Sequence, residues 1–317
     1  MIASHLLLFA VVVTVVGPRW LGRARWVYRS PRLGMAAWYA LLGGVVSAVV
    51  AATLSLVLPD RQNQPAVCAA WRWCLQAARG EYGMIGRFAA TAVMVIALLL
   101  AVRLAVCAVR FVRAQKARRR DHLQLLRLAG RDAPELGATV VECAEPAAYM
   151  VAGHHRRVVF TTGAVAALRE EELAAVLAHE RAHAAGRHDV LLNGVRLLRT
   201  AFPRMWLFVV AGEQLGRLVE MRADEVAVKQ HRAITLARAL VAMAAGASPN
   251  VPAGAVAATG GDALARMARL LNPPDRLSRL QRAVIGAAVI LTAAGPALAI
   301  ALTWLMPGTN ICFLLPI

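Results

Sequence analysis

Residues His179-Glu180-Arg181-Ala182-His183 read H-E-x-x-H, two imidazoles either side of a carboxylate. On an α-helix, positions i and i+4 share a face, so both rings can point at one metal ion with the carboxylate alongside. The chemistry such a set performs is metal-assisted hydrolysis, in which zinc polarises a carbonyl and the carboxylate takes a proton from water. His179 and His183 are therefore candidate ligands of one zinc ion per chain, and Glu180 is the candidate base. The bland alternative is a solvated helical face of charges. The flank Leu173-Ala174-Ala175-Val176-Leu177-Ala178 is too apolar for that and should bury the helix.

A catalytic zinc usually takes a third protein ligand. Asp189 is one candidate, because His183-x-x-Gly186-x-x-Asp189 is a spacing in which a glycine turn returns a ligand. Glu220 is the other and the preferred one. In Glu220-Met221-Arg222-Ala223-Asp224 the two carboxylates share a helical face, so Glu220 could bind zinc while Asp224 orients a ligand imidazole. The Asp189 route would need a methionine-containing turn beneath the metal, and the sequence offers no convincing one. His188 and Asp189 are read instead as helix-end capping or ion-pairing residues.

The elements that must hold these residues can be read around them. Thr139-Val140-Val141 and Arg157-Val158-Val159-Phe160-Thr161 have strand character, with residues 147–152 as a third candidate and Gly153-His154-His155 as a turn. From Ala164 onward the texture is helical, with Glu170 to Glu172 suited to a helix start. Residues 248–261 read as a Pro/Gly/Ala-rich loop. Residues 201–212 are too short to span a bilayer and too apolar for a solvated loop. Core packing competes there with a hairpin dipping into the inner leaflet, and the hairpin is the expectation.

The whole chain has 317 residues, 59% of them apolar, with 36 Lys and Arg against 18 Asp and Glu and a net charge of +18. That apolar content excludes disorder, and such grease with such charge does not suit a soluble nucleic-acid binder. Four segments are long enough to cross a hydrocarbon core, at about 2–18, 33–58, 83–109 and 284–306, with Pro296 as a kink in the last. Five arginines and no acid separate the first two spans, and 26 of the 36 basic residues fall between the third and fourth. By the positive-inside rule both of these segments face the cytoplasm, and both termini and the 59–82 loop lie outside. Cys68 and Cys74 fall in that exterior loop and could form a disulfide; Cys107 and Cys143 are expected as free thiols, and Cys312 has no evident partner. The run Arg110, Arg113, Lys116 and Arg118 to Arg120 fits a stop-transfer flank touching anionic headgroups; without interleaved aromatics, direct nucleic-acid binding is not expected.

The expected fold class is thus an α-helical integral membrane protein of about four transmembrane helices with a cytoplasmic α+β zincin-like metallopeptidase domain. Residues 1–109 would carry three spans, 110–283 the cytoplasmic zinc domain, and 284–317 the fourth span and a short exterior tail.

Residues 173–190 (LAAVLAHERAHAAGRHDV) and 220–228 (EMRADEVAV) resemble the membrane-embedded gluzincin peptidases of the BlaR/MecR type, as do residues 158–163 and 236–240. The resemblance implies zinc bound by His179, His183 and Glu220, with Glu180 as base. It further implies a cytosolic protein substrate, a winged-helix transcriptional repressor, in a signalling pathway at the cell membrane. Sensor members carry an exterior penicillin-binding domain after the last span, and this chain stops about ten residues past Met306, so a sensor-less member is expected. The charged Arg181 departs from the wider pattern, which prefers an uncharged residue there. Other readings are an HtpX-like quality-control peptidase, a non-catalytic receptor or scaffold with structural zinc, and a membrane-anchored DNA-binding protein. The first usually has spans between its two zinc motifs; the second would not need Glu180; the third lacks a recognition helix. A strand near 158–161 could align substrate by β-addition.

Overall fold

A computed structural model describes residues 2–57, 84–151, 157–245 and 260–305. The expected Cys68–Cys74 pair, Cys312, the Gly153–His155 turn and residues 248–259 of the expected loop lie outside them. Cys107 and Cys143 are free thiols.

The chain is mostly helical with one small sheet. Helix α1 (Ile2–Arg23), the short connector α2 (Arg25–Arg29) and α3 (Pro31–Val57) precede α4 (Met84–Ala129). Strands β1 (Gly130–Ala133), β2 (Ala138–Val141), β3 (Ala148–Val151) and β4 (Arg157–Thr161) follow. Then come α5 (Thr162–Ala167), α6 (Glu170–Ala185), α7 (His188–Ala201), α8 (Trp206–Ala227), α9 (Ala233–Ala245), α10 (Gly260–Leu271) and α11 (Arg279–Leu305).

Four of these helices are long and apolar enough to cross a membrane, over His5–Arg23, Pro31–Leu54, Met94–Ala129 and Arg279–Leu302. They overlap the four segments expected, the third running on to Ala129, past the expected end at 109. Of the four, α3 is the most enclosed, whereas α4 leaves Val95, Ile96, Leu98 and Leu99 exposed. At about 1.5 Å per residue, the 46 residues of α4 run about 70 Å, well beyond a hydrocarbon core. Its far half is a strut. Arg103 Nε donates to the Ala201 carbonyl at 2.6 Å and Gln115 Nε2 to Asn193 Oδ1 at 2.9 Å, so α7 lies docked along it. Helices α3 and α11 meet at Gly44, where a Cβ would stand 2.6 Å from the Thr292 carbonyl oxygen; only hydrogen in that position permits the approach.

The sheet order is β1-β2-β4-β3, with β2 and β4 parallel and both outer pairs antiparallel. The strands expected at 139–141 and 157–161 are β2 and β4, and the third candidate is β3. β4 is central and hydrogen-bonded on both sides, so it cannot accept a substrate strand, contrary to expectation. The edge strands are β1 and β3, and β3 packs against α6. Val158 and Phe160 of β4 join Ala164, Leu168, Leu173 and Val176 in a buried cluster that seats α6 on the sheet.

The segment 201–212 runs from the end of α7 through a turn into α8, and the two helices pack on each other. Its second half is the start of α8, whose Leu207, Phe208, Ala211, Leu215, Leu218 and Val219 are buried against Trp38, Leu42 and Val45 of α3. Its apolar side chains thus pack on one of the membrane-length helices, and the same helix goes on to carry Glu220 and Asp224. At its start, the Arg19 guanidinium lies 4.6 Å above the Trp206 ring. Leu218 is fully buried, so Leu218→Ala should cost about 2–5 kcal/mol, read as a lower melting temperature in detergent.

Candidate metal centre

Helix α6 starts where Glu172 Oε2 accepts from the Arg169 amide at 3.0 Å, with three glutamates in the first turn. It ends at Gly186, and Arg187 takes a left-handed φ of 49° that turns the chain into α7. Gly186 is required there because a Cβ would strike the His188 imidazole. Helix α6 packs against α8 through Ala175 and Ala227, small side chains that bring the two motif-bearing helices close.

That packing brings together His179, His183 and Glu220, whose donor atoms form a compact cluster. The two Nε2 atoms are 3.1 Å apart; that of His179 lies 3.4 Å from Glu220 Oε2 and that of His183 lies 3.4 Å from Glu220 Oε1. Three ligands at zinc bond lengths of about 2.0–2.2 Å in tetrahedral array stand about 3.3–3.5 Å from one another. The donor types and spacing therefore fit zinc. Asp189 is not in this cluster; it sits in the first turn of α7, and its Oδ1 is buried without a hydrogen-bond partner among the described residues.

Each imidazole has a partner on its other nitrogen. His179 Nδ1 is 2.9 Å from Asp224 Oδ1, an ion-pair distance at which the directional requirements of a hydrogen bond are not met. His183 Nδ1 is 3.0 Å from His188 Nδ1. Burial and the neighbouring His183 pull His188 down to about 4, so it is neutral near pH 7. A His183 that offers Nε2 to a metal carries its proton on Nδ1, which then donates to the bare Nδ1 of His188. His188 is thus a buried support for His183 and neither a cap nor an ion-pair partner. His188→Ala should weaken zinc binding roughly 10- to 100-fold, measured by competition with a chromogenic chelator.

A residue that the sequence reading missed completes the centre. Arg266 of α10 is buried at 7% exposure. Its Nη2 and Nε donate to Asp224 Oδ1 and Oδ2 at 2.6 and 2.8 Å, and its Nη1 lies 3.1 Å from Glu220 Oε2. Nη2 also comes within 3.5 Å of His179 Nε2.

Three carboxylates, Glu180, Glu220 and Asp224, face this one guanidinium, leaving two negative charges in excess when the histidines are neutral. A divalent cation would balance them. The imbalance shows in the titration. Burial would lower His179, but its pairing with Asp224 and Glu220 raises it to about 9. Burial opposes ionisation of Glu220 too, yet both histidines and Arg266 hold it well below the usual carboxylate range. Glu180 goes the other way, pushed up by burial more than its cationic neighbours lower it. It makes no hydrogen bond or ion pair among the described residues, leaving it able to accept a proton.

Two imidazoles and a carboxylate with a partly buried glutamate alongside have the make-up of a metallopeptidase centre. In agreement, the family model for peptidase family M48 matches residues 113–210. The match takes in the far half of α4, the sheet, His179, Glu180 and His183. Glu220, Asp224 and Arg266 lie beyond it. No curated protein and no solved structure matches the chain.

Proposed function

We propose that this protein is a multi-pass membrane zinc endopeptidase that cuts a cytosolic protein near the inner face of the cell membrane. The observation that carries the reading is the triangle of donors from α6 and α8 beside Glu180. His179, His183 and Glu220 would hold one zinc ion. Zinc bound there supplies Lewis acidity to the scissile carbonyl and lowers the pKa of a water. Glu180 takes the proton of the attacking water and delivers it to the departing amine. Asp224 and His188 keep the two imidazoles in their binding tautomers. The edge strand β3, next to α6, is where an extended substrate chain adds to the sheet.

Four membrane-length helices and the uneven placement of arginines support a cytoplasmic peptidase domain spanning about 110–283, with both termini outside. A reporter fused after Arg120 should be cytoplasmic; an exterior signal would sink this topology. For the substrate, the resemblance to BlaR/MecR-type peptidases supports a winged-helix repressor and thus signal transduction. The M48 match equally supports an HtpX-like quality-control role, although none of the membrane-length helices lies between the two motifs. Cellular protein termini compared between wild type and Glu180→Gln decide between them. One dominant new terminus in a DNA-binding protein supports the first, and many termini in membrane proteins the second. Identical termini in the two strains would reject peptidase action.

A further inference from the structure

Glu220 and Asp224 are one helical turn apart on α8, the first partly and the second fully buried, so two like charges share a small volume. The fork of Arg266 resolves the conflict asymmetrically. It hydrogen-bonds both oxygens of Asp224 and stands within ion-pair distance of Glu220 Oε2 alone, at 3.1 Å; Oε2 also lies 3.4 Å from His179 Nε2, while Oε1, 3.4 Å from His183 Nε2, has no guanidinium beside it. The helix that delivers Arg266 is itself anchored. Arg269, one turn on, donates to Glu225 Oε1 at 2.8 Å and to the Tyr28 carbonyl at 2.6 Å, tying α10 to both α8 and the connector α2. Such a charge-assisted fork has a fixed planar geometry, so it constrains where the carboxylate oxygens point.

We propose that Arg266 is a positioning residue that limits Glu220 to one donor oxygen toward the metal, keeping a coordination position free for substrate. This rests on the His-His-Glu reading above and extends it. With Oε2 engaged by the guanidinium, Oε1 is the atom offered to the metal. Without Arg266, both oxygens of Glu220 are released to the cation. The carboxylate then chelates, as carboxylates do where nothing occupies the second oxygen, and the coordination number rises by one. A purely structural arginine would alter the amount of folded protein and leave the coordination of the metal unchanged.

The test uses the full chain in detergent, freed of metal and reloaded with cobalt(II) alone, whose visible d–d absorption is intense when four-coordinate and weak when five-coordinate. Wild type should bind one cobalt with the intense spectrum. Arg266→Met and Arg266→Gln should still bind cobalt, with a band several-fold weaker. Two variants are used so that misfolding of one leaves the other to give the answer. An intense, unchanged band in whichever variant binds cobalt would overturn the role of Arg266 while leaving the metal centre standing. Failure of the wild type to bind cobalt would overturn both.

Discussion

Glu180→Gln is expected to abolish peptide-bond cleavage while the protein keeps its metal and its fold. The amide has the size and shape of the carboxylate, so the packing of α6 on the sheet and on α8 is preserved. It cannot accept a proton. Glu180 suits that task because burial raises its carboxyl above the usual range and it has no hydrogen-bond partner among the described residues. A base of this kind contributes roughly 10²–10⁴ to a rate. Turnover of an unfolded protein by the purified enzyme should fall by that factor. Zinc content by mass spectrometry and the melting temperature should stay unchanged. Retention of more than about a tenth of the activity would remove Glu180 from the role, since a general base is worth far more than that.

The second large effect separates the two candidates for the third ligand. Glu220→Ala should strip the metal, whereas Asp189→Ala should leave it bound. Removing one of three ligands forfeits on the order of a third of the roughly 10–16 kcal/mol of a structural-type zinc site. That is about 4 kcal/mol, or roughly a thousandfold in affinity. The loss should exceed that from His188→Ala, because His188 touches only the far nitrogen of His183. Zinc lost on replacing Asp189 and kept on replacing Glu220 would reverse the assignment. The geometry favours Glu220, with oxygens 3.4 Å from both imidazoles.

The comparison of these residues shows where local sequence suffices. His179, Glu180 and His183 declare themselves because their relation is set by one helical turn and needs no tertiary contact. Glu220 and Asp224 are readable as a pair for the same reason. The four apolar helices are legible because crossing a membrane demands a long uninterrupted apolar run. β2 and β4 announce themselves by β-branched residues. β1, Gly130-Arg131-Asp132-Ala133, carries no such signal; it is a strand because its backbone pairs with β2.

Arg266 shows the opposite case. An amphipathic helix is ordinarily read with its apolar face inward, yet α10 turns Arg266 toward the core and leaves Leu264 and Leu271 exposed. The inversion is stable because the interior it meets is an acidic centre, with Glu220 and Asp224 more than forty residues upstream. An arginine buried at the centre of a helix with outward leucines is the one signal that would have pointed to it. The 201–212 segment is a related case, since a short apolar stretch does not say which helix it packs on, and here that is α3.

By itself, then, the sequence determined the metal motif, the membrane-length helices and most of the strands, all of them set by spacing along one element. Tertiary structure alone decided that Glu220 rather than Asp189 stands beside the two imidazoles, that His188 backs His183, that Arg266 closes the centre, and that β4 lies inside the sheet with β3 at an edge beside α6. Each of these depends on which helix or strand lies against which, and that follows from packing among residues far apart in the chain, where local periodicity carries no information.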